Sequence, residues 1–201
     1  MFSAVIFTPG RTGSHIIIEN LSKKFCSSNL IHMHNPLHEP INNNFIGILS
    51  RRHNIFEALL STAVASVTNE FKFYSNKKID PFVFPINKFK NHYLFHKAFY
   101  ELVNKSYFKE TVDIYYEDML TDPKYLFKLF GIDQSLLDTD LKKSPYNYYE
   151  LILNVNELND LYNELTQTGI SDSEIEIVRS TVENDLKVIN TVYNGNRQII
   201  S

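Results

Sequence analysis

An α/β domain with a small, largely parallel sheet and a helical C-terminal part is the fold the sequence predicts, on three observations. Short apolar runs rich in β-branched residues, "SAVIFT", "NLIHMH", "FIGILS" and "TVDIYY", alternate with longer stretches whose apolar residues recur at helical spacing. The last third of the chain carries only helical patterns. A hydrophobic content of 43% over 201 residues, against 21% charged, is enough to fill one full core, so a single domain over residues 1–201 is expected.

The elements follow in order. "SAVIFT" is bounded by turn residues and reads as a buried strand, and "SHIIIENLSKKF" follows it as a helix. "NLIHMH" and "FIGILS" are two further strands, each followed by a polar or Pro-containing stretch. From Asn54 to Val67 the Ala- and Leu-rich "NIFEALLSTAVASV" reads as a helix with Asn54 as its N-cap. "FKFYSNKKIDPFVFP", interrupted by Pro81 and Pro85, reads as an irregular loop over the site. "INKFKNHYLFHKAFYELVNKS" is a helix, "TVDIYY" a strand, and "DPKYLFKLFGI" a short helix ended by Gly131. Two C-terminal helices, within about 146–198, are expected from "YNYYELILNVNELNDLYNELTQT" and "SDSEIEIVRSTVENDLKVINTVY". The second opens with a Ser171 to Glu174 capping box and carries an apolar stripe of Ile175, Val178, Val182, Leu186 and Ile189.

Composition narrows the function. A formal net charge of -3 argues against nucleic-acid binding through the overall field, so any anion site must be local. One cysteine, Cys26, rules out an internal disulfide, and no Cys/His spacing suggests a zinc site. The apolar run Ala4 to Phe7 is too short for a signal-peptide core and is stopped by Pro9 and Gly10, and no window reaches membrane-spanning length. A cytoplasmic protein with no membrane partner is the expectation; oligomeric state is not legible.

The chemistry concentrates in "FTPGRTGSHIII". A strand running through a Gly-containing turn into a helix gathers backbone N–H groups and the positive helix end at one point, which is an anion cradle. Arg11 adds a full charge, Thr12 and Ser14 add hydroxyl donors, and Gly13 permits close backbone approach. The Walker A pattern fails, because no second glycine and no Lys-Ser or Lys-Thr follow Gly10 at the required spacing. "FIGILS" also lacks an aspartate for magnesium. Arg51 and Arg52 close that strand, and Ser61 lies on the helix after it. In an open parallel sheet both cationic sites would face one crevice, which suits a ligand with two separated anionic groups.

Five segments, in order, resemble the sulfotransferase superfamily in its bacterial and cytosolic branches. "TPGRTGSHIIIENL" is similar to its 5'-phosphosulfate loop, and "ILSRRHNIFEALLS" to its 3'-phosphate element. "LIHMHNPLHEP" is similar to the segment that carries the catalytic histidine in the cytosolic branch. "VDIYYEDMLTDPKYLFKLFGI" and "LKKSPYNYYELILNVNEL" resemble later elements, so the likeness spans about Val5 to Leu158.

The resemblance implies a P-loop NTPase-like three-layer fold and transfer of a sulfuryl group from 3'-phosphoadenosine 5'-phosphosulfate (PAPS) to a hydroxyl or amine. The acceptor would be a small molecule or carbohydrate, the product 3',5'-ADP, and no metal would be required. Arg11, Thr12, Gly13, Ser14 and His15 would hold the 5'-phosphosulfate. Arg52 and Ser61 would hold the 3'-phosphate, with Arg51 as the competing choice, and Lys142, Lys143 and Ser144 would close over the nucleotide. The chain departs from the family in using Arg11 where cytosolic members have lysine, and in a longer arginine-to-serine spacing.

In-line transfer needs positioning, charge stabilisation and a base beside the acceptor. Arg11 suits the leaving-group oxygens and His34 is the candidate base, with His32, His38 and Glu39 as rivals. Glu117 and Asp118 read as helix-capping acids. Phe71, Phe73, Tyr74, Phe82 and Phe84 read either as core or as an acceptor-pocket lining. The alternatives are a non-catalytic nucleotide-binding or interaction protein and, disfavoured by the missing Walker residues, a nucleotide kinase.

Overall fold

Four parallel strands form one sheet in the order β2-β1-β3-β4: β1 (Ala4–Phe7), β2 (Leu30–Met33), β3 (Ile46–Arg51) and β4 (Glu110–Tyr115). The structure is a computed structural model that describes residues 3–24, 30–37, 44–68, 78–122, 124–131 and 146–197. Cys26, His38, Glu39, Phe71, Phe73, Tyr74, Lys142, Lys143 and Ser144 lie outside the described residues. The four strands are the four apolar runs of the sequence. All four residues of β1 are 0% exposed, because helices cover both faces of a parallel sheet.

The helices are α1 (Ser14–Lys24), α2 (Ile55–Thr68), α3 (Ile86–Leu102), α4 (Tyr116–Thr121), α5 (Tyr125–Phe130), α6 (Tyr148–Leu151), α7 (Val155–Thr168) and α8 (Asp172–Arg197). The period-2 alternation of strand side chains divides them between two layers. Ala4, Ile6, Ile48 and Ile114 pack on Ile17 and Leu21 of α1, Met119 of α4 and Leu126 of α5. Val5, Phe7 and Leu49 pack on Phe99 of α3, with Val103 and Phe108. A third cluster joins Leu60 and Val64 of α2 to Phe89 and Tyr93 of α3 and to Leu158 and Leu165 of α7.

From β1 the chain moves outward to β2, returns past β1 to β3, and then continues outward to β4. The direction of winding therefore reverses between β1 and β3. The crevice at the carboxyl ends of these two strands is the switch point where open α/β sheets place ligands. The loop after β1 and Arg52, just past β3, meet there, Arg52 Nη1 donating to the Arg11 carbonyl.

Three caps match the sequence reading. Asn54 Oδ1 accepts the Glu57 N–H at 3.1 Å, and Gly131 leaves α5 with φ 60°. At the start of α8 the Glu174 N–H donates to Ser171 Oγ at 3.3 Å while the Ser171 N–H donates to Glu174 Oε2 at 2.9 Å. Val178 and Val182 then bury against Ala98 and Leu102 of α3.

The single helix expected across "YNYYELILNVNELNDLYNELTQT" is two helices, α6 and α7, and the break has a physical cause. The Phe82 N–H donates to the Leu151 carbonyl at 2.8 Å, and the Leu153 N–H donates to the Phe82 carbonyl at 2.9 Å. Asn154 then receives the Phe84 N–H at 2.9 Å and donates to the Phe84 carbonyl at 3.0 Å. Backbone groups that would extend α6 are thus used on the segment after Pro81, and Phe84 becomes core at 0% exposure. Asn154→Ala leaves both Phe84 backbone groups without that partner and is expected to cost about 1–3 kcal/mol by urea denaturation. An unchanged midpoint would show that the clamp contributes nothing.

Candidate functional site

The loop from Thr8 to Gly13 turns through three left-handed residues: Gly10 at φ 98°, Arg11 at φ 59° and Gly13 at φ 80°. Glycine adopts that region freely, but arginine does so at a cost of about 1–3 kcal/mol that the surroundings must offset. A chain of hydroxyls does so. The Gly10 N–H donates to Thr8 Oγ1 at 3.0 Å, Thr8 and Thr12 hydroxyls lie 2.6 Å apart, and Thr12 Oγ1 donates to Ser50 Oγ at 2.8 Å. The Ser50 hydroxyl returns its proton to the Thr12 carbonyl at 2.8 Å. Because the Thr12 proton goes to Ser50, the Thr8 hydroxyl donates to Thr12, and the chain has one direction. Thr8, Thr12 and Ser50 are each 0% exposed, so the loop is pinned to the end of β3 from inside.

Gly13 is required for a second reason. A Cβ there would lie 2.4 Å from Tyr116 Cδ2. Its carbonyl accepts the Ile16 and Ile17 N–H groups at 3.0 and 3.3 Å, which starts α1 at the loop.

Arg11 Nε donates to Ser61 Oγ at 2.8 Å, joining the loop to α2. Burial lowers this guanidinium to about 10; Tyr148 and Tyr116 oppose the shift and Arg52 adds to it. Arg52 is the hub of the site. Its Nε donates to Glu117 Oε1 at 2.7 Å, Nη2 to Glu57 Oε2 at 3.2 Å, and Nη1 to the Arg11 carbonyl at 3.3 Å. Its flat face lies 4.3 Å from the centre of the Tyr116 ring, and its side chain is 10% exposed. Glu117 also accepts the His53 N–H at 2.9 Å and the Asn54 N–H at 3.4 Å. Burial works to raise the Glu117 carboxyl, but these amides and Arg52 outweigh it and hold the group below the ordinary carboxylate range.

Arg51 points the other way. It pairs with Asp113 and lies 4.0 Å over the Tyr100 ring, with 22% of its side chain exposed. The Tyr100 hydroxyl donates to the Ser50 carbonyl, and burial pushes that phenol up.

Three imidazoles line the β2 side of the loop. His15 and His32 rings are 5.6 Å apart, and His32 and His34 rings 4.5 Å apart. His34 Nδ1 lies 3.1 Å from the Thr8 carbonyl. A carbonyl only accepts, so Nδ1 carries a hydrogen, and in the neutral form of this exposed ring the lone pair is on Nε2. His32 is pushed down to about 4, first by burial and then by His34 and His15. Its Nε2 has no hydrogen-bond partner among the described residues.

The described residues singled out in the sequence as the phosphosulfate loop, the arginine pair, Ser61 and His34 are therefore brought to one edge, with a changed division of labour. Ser61 is bonded to Arg11 rather than to Arg52, and Thr12 gives its proton inward to Ser50. Ser14 is buried at 4% exposure, and His15 is exposed at the start of α1. Glu117 braces Arg52 and the entry to α2, a wider part than capping its own helix. Sequence reasoning missed Thr8, Ser50, Glu57, Tyr100, Asp113, Tyr116 and Tyr148. The one signal for Thr8 and Ser50 was a hydroxyl residue closing each apolar strand run.

Among the described residues no group of three His, Cys, Asp or Glu side chains is arranged to hold a metal, and no helix is long and apolar enough to cross a membrane. No protein-family model, curated protein or solved structure matches the chain.

The buried imidazoles set a pH dependence. His32 and His96 both lie at about 4 in the folded chain, below the ordinary value of 6.5. The unfolded chain therefore binds more protons between those values, and stability falls as pH drops from 6.5 towards 4. Denaturation midpoints should be level above pH ~7 and decline below it, with a shallower decline in His32→Gln. A midpoint that stays level down to pH ~5 would contradict the burial of both rings.

Proposed function

We propose that the chain transfers a sulfuryl group from PAPS to an acceptor hydroxyl or amine, using a P-loop-like anion loop after β1. The observation that carries this reading is the convergence at the β1/β3 switch point. A left-handed Arg11 bonded to Ser61 lies there, and from the β2 side an exposed His34 bonds the Thr8 carbonyl of the same loop through Nδ1. The likeness of the five sequence segments to sulfotransferases adds to it.

PAPS would supply the sulfuryl group and a phosphate leaving group. The loop suits a phosphosulfate because its turn through left-handed Gly10, Arg11 and Gly13 leads directly into the N-terminus of α1. Arg11 would stabilise the charge that develops on the leaving phosphate oxygen as the sulfur–oxygen bond breaks. His34 Nε2 would take the acceptor's proton as the new bond to sulfur forms.

The arrangement favours Arg51 for the 3'-phosphate. Arg52 already serves two carboxylates and a carbonyl at 10% exposure, whereas Arg51 has Asp113 and is more open. A phosphate displaces one carboxylate from Arg51 at lower cost than two from Arg52.

Calorimetry without magnesium should show tighter binding of 3',5'-ADP than of 5'-AMP. Arg51→Ala is expected to erase that preference, losing about tenfold or more for 3',5'-ADP alone. Arg52→Ala should weaken both nucleotides together by releasing the loop. Equal affinity for the two nucleotides in the parent chain would remove the 3'-phosphate site, and a magnesium requirement would favour a kinase. In transfer of labelled sulfate to acceptor mixtures, His34→Ala should lower turnover about a hundredfold while 3',5'-ADP binding stays within about threefold. Unchanged turnover would pass the role to His38 or Glu39.

A further inference from the structure

His96 is a buried titratable group that the mechanism above does not use. It sits on α3 at 6% exposure, and its Nε2 has no hydrogen-bond partner among the described residues. Buried polar atoms are nearly always paired, and an orphan in an otherwise bonded region marks a missing water or ligand atom.

Its position favours a ligand. Tyr100 lies one helical turn further along α3, on the same face, and its hydroxyl reaches the Ser50 carbonyl at the end of β3. The His96 and Tyr100 rings meet edge to face at 6.0 Å, and Arg51 lies on the Tyr100 ring. Both Arg51 and Arg52 are close enough to act electrostatically on His96. The His96 ring thus lies beside the Tyr100 ring on which Arg51 rests, on the helix face that reaches the end of β3.

Burial opposes protonation of the ring most strongly, and the charges of Lys97, Arg52 and Arg51 add to it. A neutral ring in that field gains most by turning an N–H towards an acceptor that the arginines also attract. We infer that His96 is a ligand-contacting residue of this site, its Nε2–H donating to an oxygen of a phosphate- or sulfate-like anion held by Arg51. In a nucleotide ligand, which rests on the sulfotransferase reading, that anion would be the 3'-phosphate.

The test titrates the full chain with inorganic sulfate, 3',5'-ADP and 5'-AMP, following the histidine ring signals by NMR and affinities by calorimetry. His96→Leu removes the donor, and His96→Gln restores an N–H at similar reach. Sulfate and 3',5'-ADP should shift the His96 signal, and 5'-AMP should leave it in place. The Leu variant should bind 3',5'-ADP about tenfold more weakly, and the Gln variant within about threefold of the parent. If the Leu variant fails to fold, the parent's ring signal and the Gln variant decide. Normal nucleotide binding with an unmoved His96 signal overturns the inference and leaves the sulfotransferase reading intact. A His96 shift with sulfate but no binding of either nucleotide keeps the inference and removes that reading. No response to any of the three probes overturns both.

Discussion

The guanidinium of Arg52 is the constraint on which the rest of the site depends. It bonds Glu117 at the start of α4, Glu57 in the first turn of α2, and the carbonyl of Arg11 in the loop after β1, and it stacks on Tyr116. The loop after β1, the first turn of α2 and the start of α4 are thereby fixed around one cation at the end of β3. A side chain that is 10% exposed and multiply bonded is costly to disturb, because removing it would leave two carboxylates facing each other without a counter-charge. The bond to the Arg11 carbonyl, with the hydroxyl chain through Thr12 and Ser50, is what allows a non-glycine residue to stay left-handed there.

That division of labour determines the electrostatics. With Arg52 balanced by Glu117 and Glu57, the attraction for the proposed anion would fall to Arg11, the amides and helix end of the loop, and Arg51. It is local, as a chain with a net charge of -3 requires. On the other side of the loop the exposed His34 is held by the Thr8 carbonyl, so the same loop orients both the cation and the candidate base. Glu117 extends the brace by accepting the His53 and Asn54 amides, which places α2, and with it Ser61, against Arg11.

Much of the fold was legible because its signals are local. β1 reads as an unbroken apolar run since both its faces are covered, and the Ser171 to Glu174 box reads as a helix start since both partners lie within one turn. The loop with Arg11 was legible from the change of period across a Pro-Gly turn. What escaped depends on contacts between distant residues. Nothing in the spacing of Arg52 and Ser61 reveals that Ser61 faces Arg11 or that Arg52 faces Glu117. The break between α6 and α7 arises from the Phe82 to Phe84 backbone, so a periodic pattern read along one segment misses it. His96 sits in a helix whose apolar pattern is consistent with plain core, and its unpartnered nitrogen beside Tyr100 emerges only in the folded chain.

The β1/β3 crevice is proposed as an anion-binding site built on Arg11. A crystal structure of the chain with 3',5'-ADP tests it most directly. The nucleotide is expected at the carboxyl ends of β1 and β3, with its 5'-phosphate on the Arg11 loop, its 3'-phosphate by Arg51, and the Arg52 contacts to Glu117 and Arg11 intact. A nucleotide bound elsewhere, or one seated in the crevice with its phosphates turned away from Arg11, would contradict it.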